Sequence, residues 1–380
     1  MMKIVYLKPK AGFRSGMRSD TLWGTLCWAI YHVYGNQGKA RLEAFLASYD
    51  TNAPALVLSS AFPYKQLGDE KRCFYPKPYL SKERKKEMEL QRLAANEKKF
   101  QGDKIRAKLA AMNEQKKVRK QSFLTQDQFF DLMQGTATAE SIEEDFWSQE
   151  DENKEENEKN KDKQRYTPPT TRSISVTHNA IDRIKGSTMK RNDVGQLFHV
   201  TENYLEDKQN NTQAQDNVGL FFLAEVRDVP VFEAALRYLQ HAGFGGDRGT
   251  GKGHFEITCE DFDRLPKVNN PNVMTNLSLY LPTQGELAAF SQKSQINTFR
   301  YQLENRQGRL GFVNSPAFLK KPLTMFKEGG IFPYINQTHF GQKVDVTSAE
   351  QAKVLHHKLW HNGLGLMVPM RLKETTEDKN

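Results

Sequence analysis

Between residues 218 and 261 the chain changes its apolar rhythm twice, and the order of those changes limits the folds open to it. Residues 218–226, Val-Gly-Leu-Phe-Phe-Leu-Ala-Glu-Val, form a near-continuous apolar run suited to a central strand buried on both faces. Phe232, Ala235, Leu236 and Leu239 then recur at helical spacing, and Pro230 opens that helix. A glycine-rich segment follows at 243–253, after which His254-Phe255-Glu256-Ile257-Thr258 alternates as a strand. The N-terminal part has the same rhythm. Residues 2–8 read as a strand, Leu22, Leu26, Ala29, Ile30 and Val33 line one face of a helix, and Leu56-Val57-Leu58 returns as a strand. Residues 39–48 look like a second helical segment between them. Strand, helix, strand twice over predicts an α+β fold, with helices layered on a four-stranded antiparallel, ferredoxin-like sheet.

The loop Gly243-Phe244-Gly245-Gly246-Asp247-Arg248-Gly249-Thr250-Gly251-Lys252-Gly253 combines little side-chain bulk with exposed N–H groups and two fixed cations. Such a loop approaches a phosphate backbone closely and neutralises it. Gly246 to Lys252 matches G-x-x-x-x-G-K, but Gly253 stands where a nucleotide-binding P-loop needs a Mg²⁺-binding hydroxyl. A P-loop also runs strand, loop, helix. The order here is reversed, which argues against an NTPase. A purely structural turn explains one or two glycines, not six with two cations.

Net charge is +9 over 380 residues, which favours a polyanionic partner without naming it. Cys27, Cys73 and Cys259 are far apart with no C-x-x-C spacing, as suits a reducing compartment without structural zinc. His356 and His357 lack a spaced carboxylate and make no metal site; no cofactor is expected. Residues 1–10 have no signal-peptide apolar core, and no run is long and apolar enough to span a bilayer, so a cytoplasmic protein is expected, with no membrane partner. Residues 9–18 form a loop studded with Lys10, Arg14 and Arg18, and Ser19 or Asp20 is placed to cap the helix that follows. Residues 81–121 are a basic helical stretch that either binds RNA or is a solvated helix balanced by interleaved Glu. They lead to Phe123-Leu124-Thr125 and a short amphipathic run through Phe129, Phe130, Leu132 and Met133. Residues 140–165 are acidic low complexity without apolar anchors, and disorder is expected there. Ser173–Val176 and Gln196–Val200 alternate as the arms of a hairpin whose tip holds Arg183, Lys185, Lys190 and Arg191, with Gly186 as a turn point. Beyond about residue 272 the alternations Leu277/Leu279/Leu281 and Phe299/Tyr301/Leu303, with a late strand in 364–370, support only a second α+β unit.

Several segments carry a resemblance. The helix-loop-strand around residues 243–255 resembles the glycine-rich loop of the RAMP superfamily, the RNA-binding subunits of CRISPR effector complexes. Ser19-Asp20-Thr21-Leu22-Trp23-Gly24-Thr25-Leu26-Cys27-Trp28-Ala29-Ile30 is similar to the first helix of the fourth subunit of type III-A (Csm) complexes. So are Phe74-Tyr75-Pro76-Lys77-Pro78-Tyr79-Leu80, the pair His178-Asn179-Ala180-Ile181-Asp182-Arg183 and Gly195-Gln196-Leu197-Phe198, and Tyr301 to Gly308. The order of these motifs makes the match specific, although two charged stretches between 81 and 165 lie outside it.

The resemblance implies tandem ferredoxin-like RAMP domains. The first covers residues 1–270, with a charged insertion at about 81–165, a protruding β-hairpin thumb at about 173–200 and the glycine-rich loop; a degenerate second domain covers 271–380. It implies RNA contacts from Lys10, Phe13, Arg14, Arg18 and Ser19, from His178, Asn179, Arg183, Lys190 and Arg191, and from Gly243, Phe244, Gly245, Gly246, Arg248, Gly249, Thr250, Gly251 and Lys252. Phe13, Phe244 and Phe255 are candidate stacking rings, Phe255 more often a core residue. The implied role is non-catalytic: holding the 5′ tag of the CRISPR RNA (crRNA) beside target RNA, next to the large polymerase-like subunit and the backbone RAMP subunit. A metal-independent crRNA endoribonuclease is the alternative, with His178, His241 and His254 near the proposed RNA surface, but no acid–base pair is visible. Asp20 invites comparison with a catalytic aspartate, although helix capping is its commoner role. The equivalent subunit of a type III-B complex is a further alternative, and the hairpin motif favours III-A.

Overall fold

The computed structural model describes residues 1–372 except 15, 52, 81–92, 95, 99, 101–102, 139–140, 143–166, 192–193, 196, 208–216, 294–298 and 311–318. Of the stretch expected to be disordered, only Ser141 and Ile142 lie within the described residues, and Ile142 packs into the core. The first 261 residues run β1 (Met2–Pro9), α1 (Ser19–Val33), α2 (Gly38–Ala47), β2 (Leu56–Leu58), β3 (Phe62–Leu67), β4 (Glu70–Pro76), α3 (Lys104–Lys120), β5 (Phe123–Thr125), α4 (Gln126–Gln134), β6 (Thr170–Asn179), β7 (Leu197–Glu206), β8 (Val218–Val226), α5 (Val229–Ala242) and β9 (Phe255–Asp261). The main sheet has the order β9-β1-β8-β3-β4-β5, with β2 also pairing β8. Its described pairs are antiparallel.

The central strand β8 is buried on both faces, as its unbroken apolar run requires. Phe222 and Ala224 point to the layer of α1 and α5, where they meet Leu22, Leu26, Ile30, Phe232 and Leu236. Phe221 and Leu223 point the other way, to a second cluster with Tyr75, Phe129, Leu132, Ile331 and Val368. α4 and the C-terminal unit therefore cover the sheet face that the helices leave open. A capping box starts α4, in which Thr125 and Gln128 exchange side-chain and backbone hydrogen bonds. Asp228 caps α5, accepting from the Val231 N–H at 3.2 Å.

Neither Ser19 nor Asp20 caps α1. The helix starts at Ser19 itself, after Arg18 in extended conformation, without a side-chain cap. One position inside the helix, Ser19 is free to bond across the fold. Its N–H donates to Ser60 Oγ at 2.9 Å, and its Oγ accepts from the Leu279 N–H at 3.0 Å.

The C-terminal unit contains β10 (Val273–Asn276), α6 (Gln284–Lys293), β11 (Leu303–Arg306), β12 (Leu323–Phe326), β13 (Ile331–Pro333), β14 (Lys343–Asp345), β15 (Trp360–Asn362) and β16 (Met367–Met370). β10 stands between β13 and β16. The alternation Leu277/Leu279/Leu281 does not extend it, because Asn276 Nδ2 turns back to Ser278 O (2.7 Å) and Lys327 O (3.1 Å) and closes the strand.

Candidate nucleic-acid interface

Three segments converge at one end of the main sheet, where β1 ends and β8 and β9 begin: the loop after β1, the glycine-rich loop between α5 and β9, and the root of a long hairpin. The hairpin arms are β6 and β7, paired from Asn179↔Leu197 to Thr170↔Glu206. They are longer than the alternation alone suggested. At the root, Lys65 of β3 and Asp207 form an ion pair at 2.8 Å, both almost wholly buried. Phe13 and Asn203 exchange backbone hydrogen bonds of 3.0 and 2.8 Å, which stitches the first loop to β7. The motif residues shape the tip. Asp182 Oδ1 accepts from the N–H groups of Ile184 and Lys185, and Asn179 Nδ2 donates to Thr188 Oγ1 at 2.8 Å. The His178 ring stacks on Phe198 at 5.5 Å. Arg183, Lys185 and Lys190 are exposed there; Arg191 pairs through its backbone with Val194.

The glycine-rich loop needs its glycines at particular points. Gly243, Gly245, Gly251 and Gly253 all have φ between +69° and +83°, a region open mainly to glycine. A Cβ on Gly253 would stand 2.0 Å from Phe244 O, where the Phe244 N–H donates back to Gly253 O at 2.8 Å. Gly249 is different: its φ is not positive and a Cβ there meets nothing within 4 Å. Asp247 itself is left-handed at φ 59°. Gly249 and Thr250 are exposed, and so is Arg248, which carries no ion pair among the described residues.

Several expected contacts stand elsewhere. Phe13, Phe244 and Phe255 are core residues packed ring to ring at 5.7 Å, so none offers an open face to a base. Ser19 is fully buried in its two hydrogen bonds. Arg18 is not a free cation: Nε donates to Glu328 Oε1 at 2.7 Å, Nη2 bonds the second Glu328 oxygen, and Nη1 lies 3.2 Å from Glu304. Lys252 is bound to buried Glu202 at 2.8 Å, and the same carboxylate oxygen accepts from Tyr204 Oη at 2.7 Å. The Lys252 hydrogen bond, then that of Tyr204, holds the Glu202 carboxyl below its ordinary range; the same bond raises the Lys252 ammonium. Arg14 is paired with Asp247 at 2.8 Å, but both side chains are about one-third exposed, and water and salt screen such a pair. Lys10, Arg14 and Arg248 are the cations of the two loops open to a polyanion at this end of the sheet.

Among the histidines considered at the sequence level, His254 Nε2 lies 3.4 Å from Arg248 O, His241 is exposed at the end of α5, and His178 lies against Phe198. The fold does create one histidine–carboxylate pair that sequence reading missed: His361 Nε2 lies 3.5 Å from Asp20 Oδ2, both side chains largely buried. Burial disfavours the charged form of Asp20, but the hydrogen bond and charge of Arg306 prevail and hold its carboxyl below the usual range. Burial lowers His361. Arg306 bonds both Asp20 oxygens. Among the described residues no group of three or more His, Cys, Asp or Glu stands together to hold a metal, and no helix is long and apolar enough to cross a membrane.

Comparison with known proteins agrees with this architecture. Residues 269–370 match the family model of the CRISPR Csm4 C-terminal domain. The CRISPR system Csm4 protein of Methanocaldococcus jannaschii is 24% identical over 221 residues, 51% of this chain and 53% of its own length. That of Streptococcus thermophilus is 25% identical over 179 residues, 44% of this chain and 56% of its own length. The chain thus spans about half the length of the curated relatives it matches. Among solved structures, a chain of the Csm3–Csm4 subcomplex of a type III-A CRISPR-Cas interference complex is similar with TM-score 0.52 at 15% identity, over 97% of this chain and 99% of its own. A chain of a Csm1–Csm4 cassette with pppApA is similar with TM-score 0.50 at 19% identity, over 98% and 99%. The C-terminal part of the chain is thus similar to the Csm4 C-terminal domain, and the chain as a whole is Csm4-like in sequence and fold.

Proposed function

We propose that this chain is a non-catalytic subunit of a type III-A (Csm) interference complex, which holds the 5′ tag of the crRNA. The observation that carries the proposal is the convergence of the glycine-rich loop, the cation-bearing loop after β1 and the rooted hairpin at one end of the main sheet, with Lys10, Arg14 and Arg248 open to phosphate. The exposed backbone of the loop positions RNA without reading sequence. The hairpin acts as a thumb beside it, its tip cations facing guide and target RNA. The main sheet with its helices and the C-terminal unit are read as tandem ferredoxin-like domains dividing near residue 270. The order β9-β1-β8 followed by β2 and β3 supports the first of them.

The similar solved chains come from assemblies with Csm1 and with Csm3. On this reading the chain docks the large polymerase-like subunit and the backbone RAMP subunit in the cytoplasm. The test is purification of the chain with its complex, followed by sequencing of the bound RNA and incubation of the isolated chain with a repeat-containing precursor. The expected result is a bound guide RNA with its 5′ tag against this subunit and no cleavage, with or without Mg²⁺. Stoichiometric cleavage abolished by His178→Ala or His254→Ala would establish an endoribonuclease instead.

A further inference from the structure

Lys252 sits in the most phosphate-like of loops, yet its ammonium faces inward. Glu202 is 3% exposed. A buried carboxylate is stable only when its lone pairs and charge are met, and Lys252 and Tyr204 meet them at 2.8 and 2.7 Å on one oxygen. Glu202 and Tyr204 are two residues apart on β7, so strand alternation puts both on the face toward the loop. The Tyr204 ring lies so close to Gly12 that a Cβ there would stand 2.7 Å from Tyr204 Cζ. Gly12 O in turn accepts from the Gly253 N–H at 2.9 Å. A closed ring of contacts thus runs from Lys252 to Glu202, Tyr204, Gly12, Gly253 and back. A phosphate drawing Lys252 outward would strand Glu202. Arg14 can exchange Asp247 for phosphate at the surface without that penalty.

We infer that Lys252 is a positioning residue and not a phosphate ligand: with Glu202 and Tyr204 it locks the glycine-rich loop to the root of the hairpin and fixes the hairpin's angle across the RNA path. The significance of that angle rests on the RNA-holding function proposed above, but the lock is measured without RNA. Hydrogen exchange of the RNA-free chain is followed at the hairpin root, Asn203 to Glu206. Lys252→Met and Glu202→Gln are each expected to raise exchange there by roughly tenfold or more, the order set by stranding a buried charge. The double variant is expected to add little to either, and the reversed pair Lys252→Glu with Glu202→Lys to restore part of the protection. In complexes that bind guide RNA, Lys252→Met leaves the salt slope of binding unchanged, whereas Arg248→Ala lowers it by roughly 0.7, the value for one phosphate contact to a single strand. Unchanged exchange together with a slope lowered by that amount in Lys252→Met would make it a phosphate ligand and overturn the inference. Tighter RNA binding by Glu202→Gln would overturn it too. Should Lys252→Met fail to fold, the reversed pair decides: a folded, protected hairpin supports the lock, and a reversed pair that leaves the hairpin unprotected, or fails to fold while Glu202→Gln folds, refutes it. Loss of hairpin protection in a chain that binds no guide RNA would refute only the RNA reading.

Discussion

Arg306 of the C-terminal unit reaches Asp20 at the start of α1 with two hydrogen bonds, Nε to Oδ2 at 2.9 Å and Nη2 to Oδ1 at 3.1 Å. Asp20 is 7% exposed at its side chain and Arg306 27%. Glu304 lies between Arg306 and Arg18 and forms ion pairs with both, at 3.5 and 3.2 Å, so a continuous chain of charge joins the two units.

Removing the guanidinium leaves a buried carboxylate whose remaining close partners are the Thr21 N–H and hydroxyl and His361. Arg306→Ala is therefore expected to lower stability by about 2–4 kcal/mol, somewhat under the ~3–5 kcal/mol for breaking a fully buried pair because the guanidinium is partly exposed. Urea unfolding monitored by circular dichroism checks it. A midpoint unchanged from the parent chain would show that the Asp20–Arg306 pair adds nothing to the junction of the two units.

The same cluster sets an acid response. Burial lowers His361 despite Asp20, with Lys320 and Arg306 also opposing its charge. A histidine depressed in the folded state binds protons more readily when unfolded, so its contribution is full above the unfolded value near 6.5 and is lost as pH falls toward the folded value. Asp20, also depressed, adds a loss of the same sign at lower pH, below about 3.9. Stability should decline as pH drops below about 6.5, and His361→Gln should flatten the first part of that decline. Thermal unfolding across that range, parent against variant, is the measurement. Identical slopes would remove His361 from the account.

Two glycines of the same loop should respond in opposite ways. Gly253→Ala places a methyl against Phe244 O in a left-handed backbone, and is expected to cost more than about 2 kcal/mol. Gly249→Ala meets open space and should stay within about 0.5 kcal/mol of the parent. If both prove equally tolerated, the loop relaxes more than its contacts suggest.

At the surface, Lys10→Ala with Arg248→Ala should weaken guide-RNA binding and lower the salt slope by roughly 1.4, two single-strand phosphate contacts. Arg18→Ala should instead act on stability, because its partner Glu328 is buried. A salt titration with folding checked separates the two effects. A slope reduced by Arg18→Ala in a stable protein would return that residue to the interface.

The main sheet was legible because period changes are local. β8 is apolar throughout, α5 repeats at helical spacing, and β9 alternates. Partner choice was not legible. Arg18 and Glu328 are 310 positions apart, so the arginine read as a free cation of the first loop. Lys252 read the same way, because Glu202 belongs to a hairpin arm whose inward face only the register reveals. Phe13 and Phe244 could equally have been stacking rings or core, as glycine-rich sequence does not say which way a ring turns; both turn inward. Asp20 and His361 meet only because β15 of the C-terminal unit packs on α1.

The register of β4 with β5 bears on chain length. Pro76 pairs with Phe123 and Tyr75 with Leu124, so the polypeptide departs from and returns to one spot on the sheet. That spot is the edge opposite β9, about 24 Å away across five strand spacings of roughly 4.8 Å. Closing a loop already pinned at both ends grows more difficult only logarithmically, by about 0.6 kcal/mol for each doubling of its length. Segments of very different size can therefore be spliced between residues 77 and 122 with little cost in loop-closure entropy.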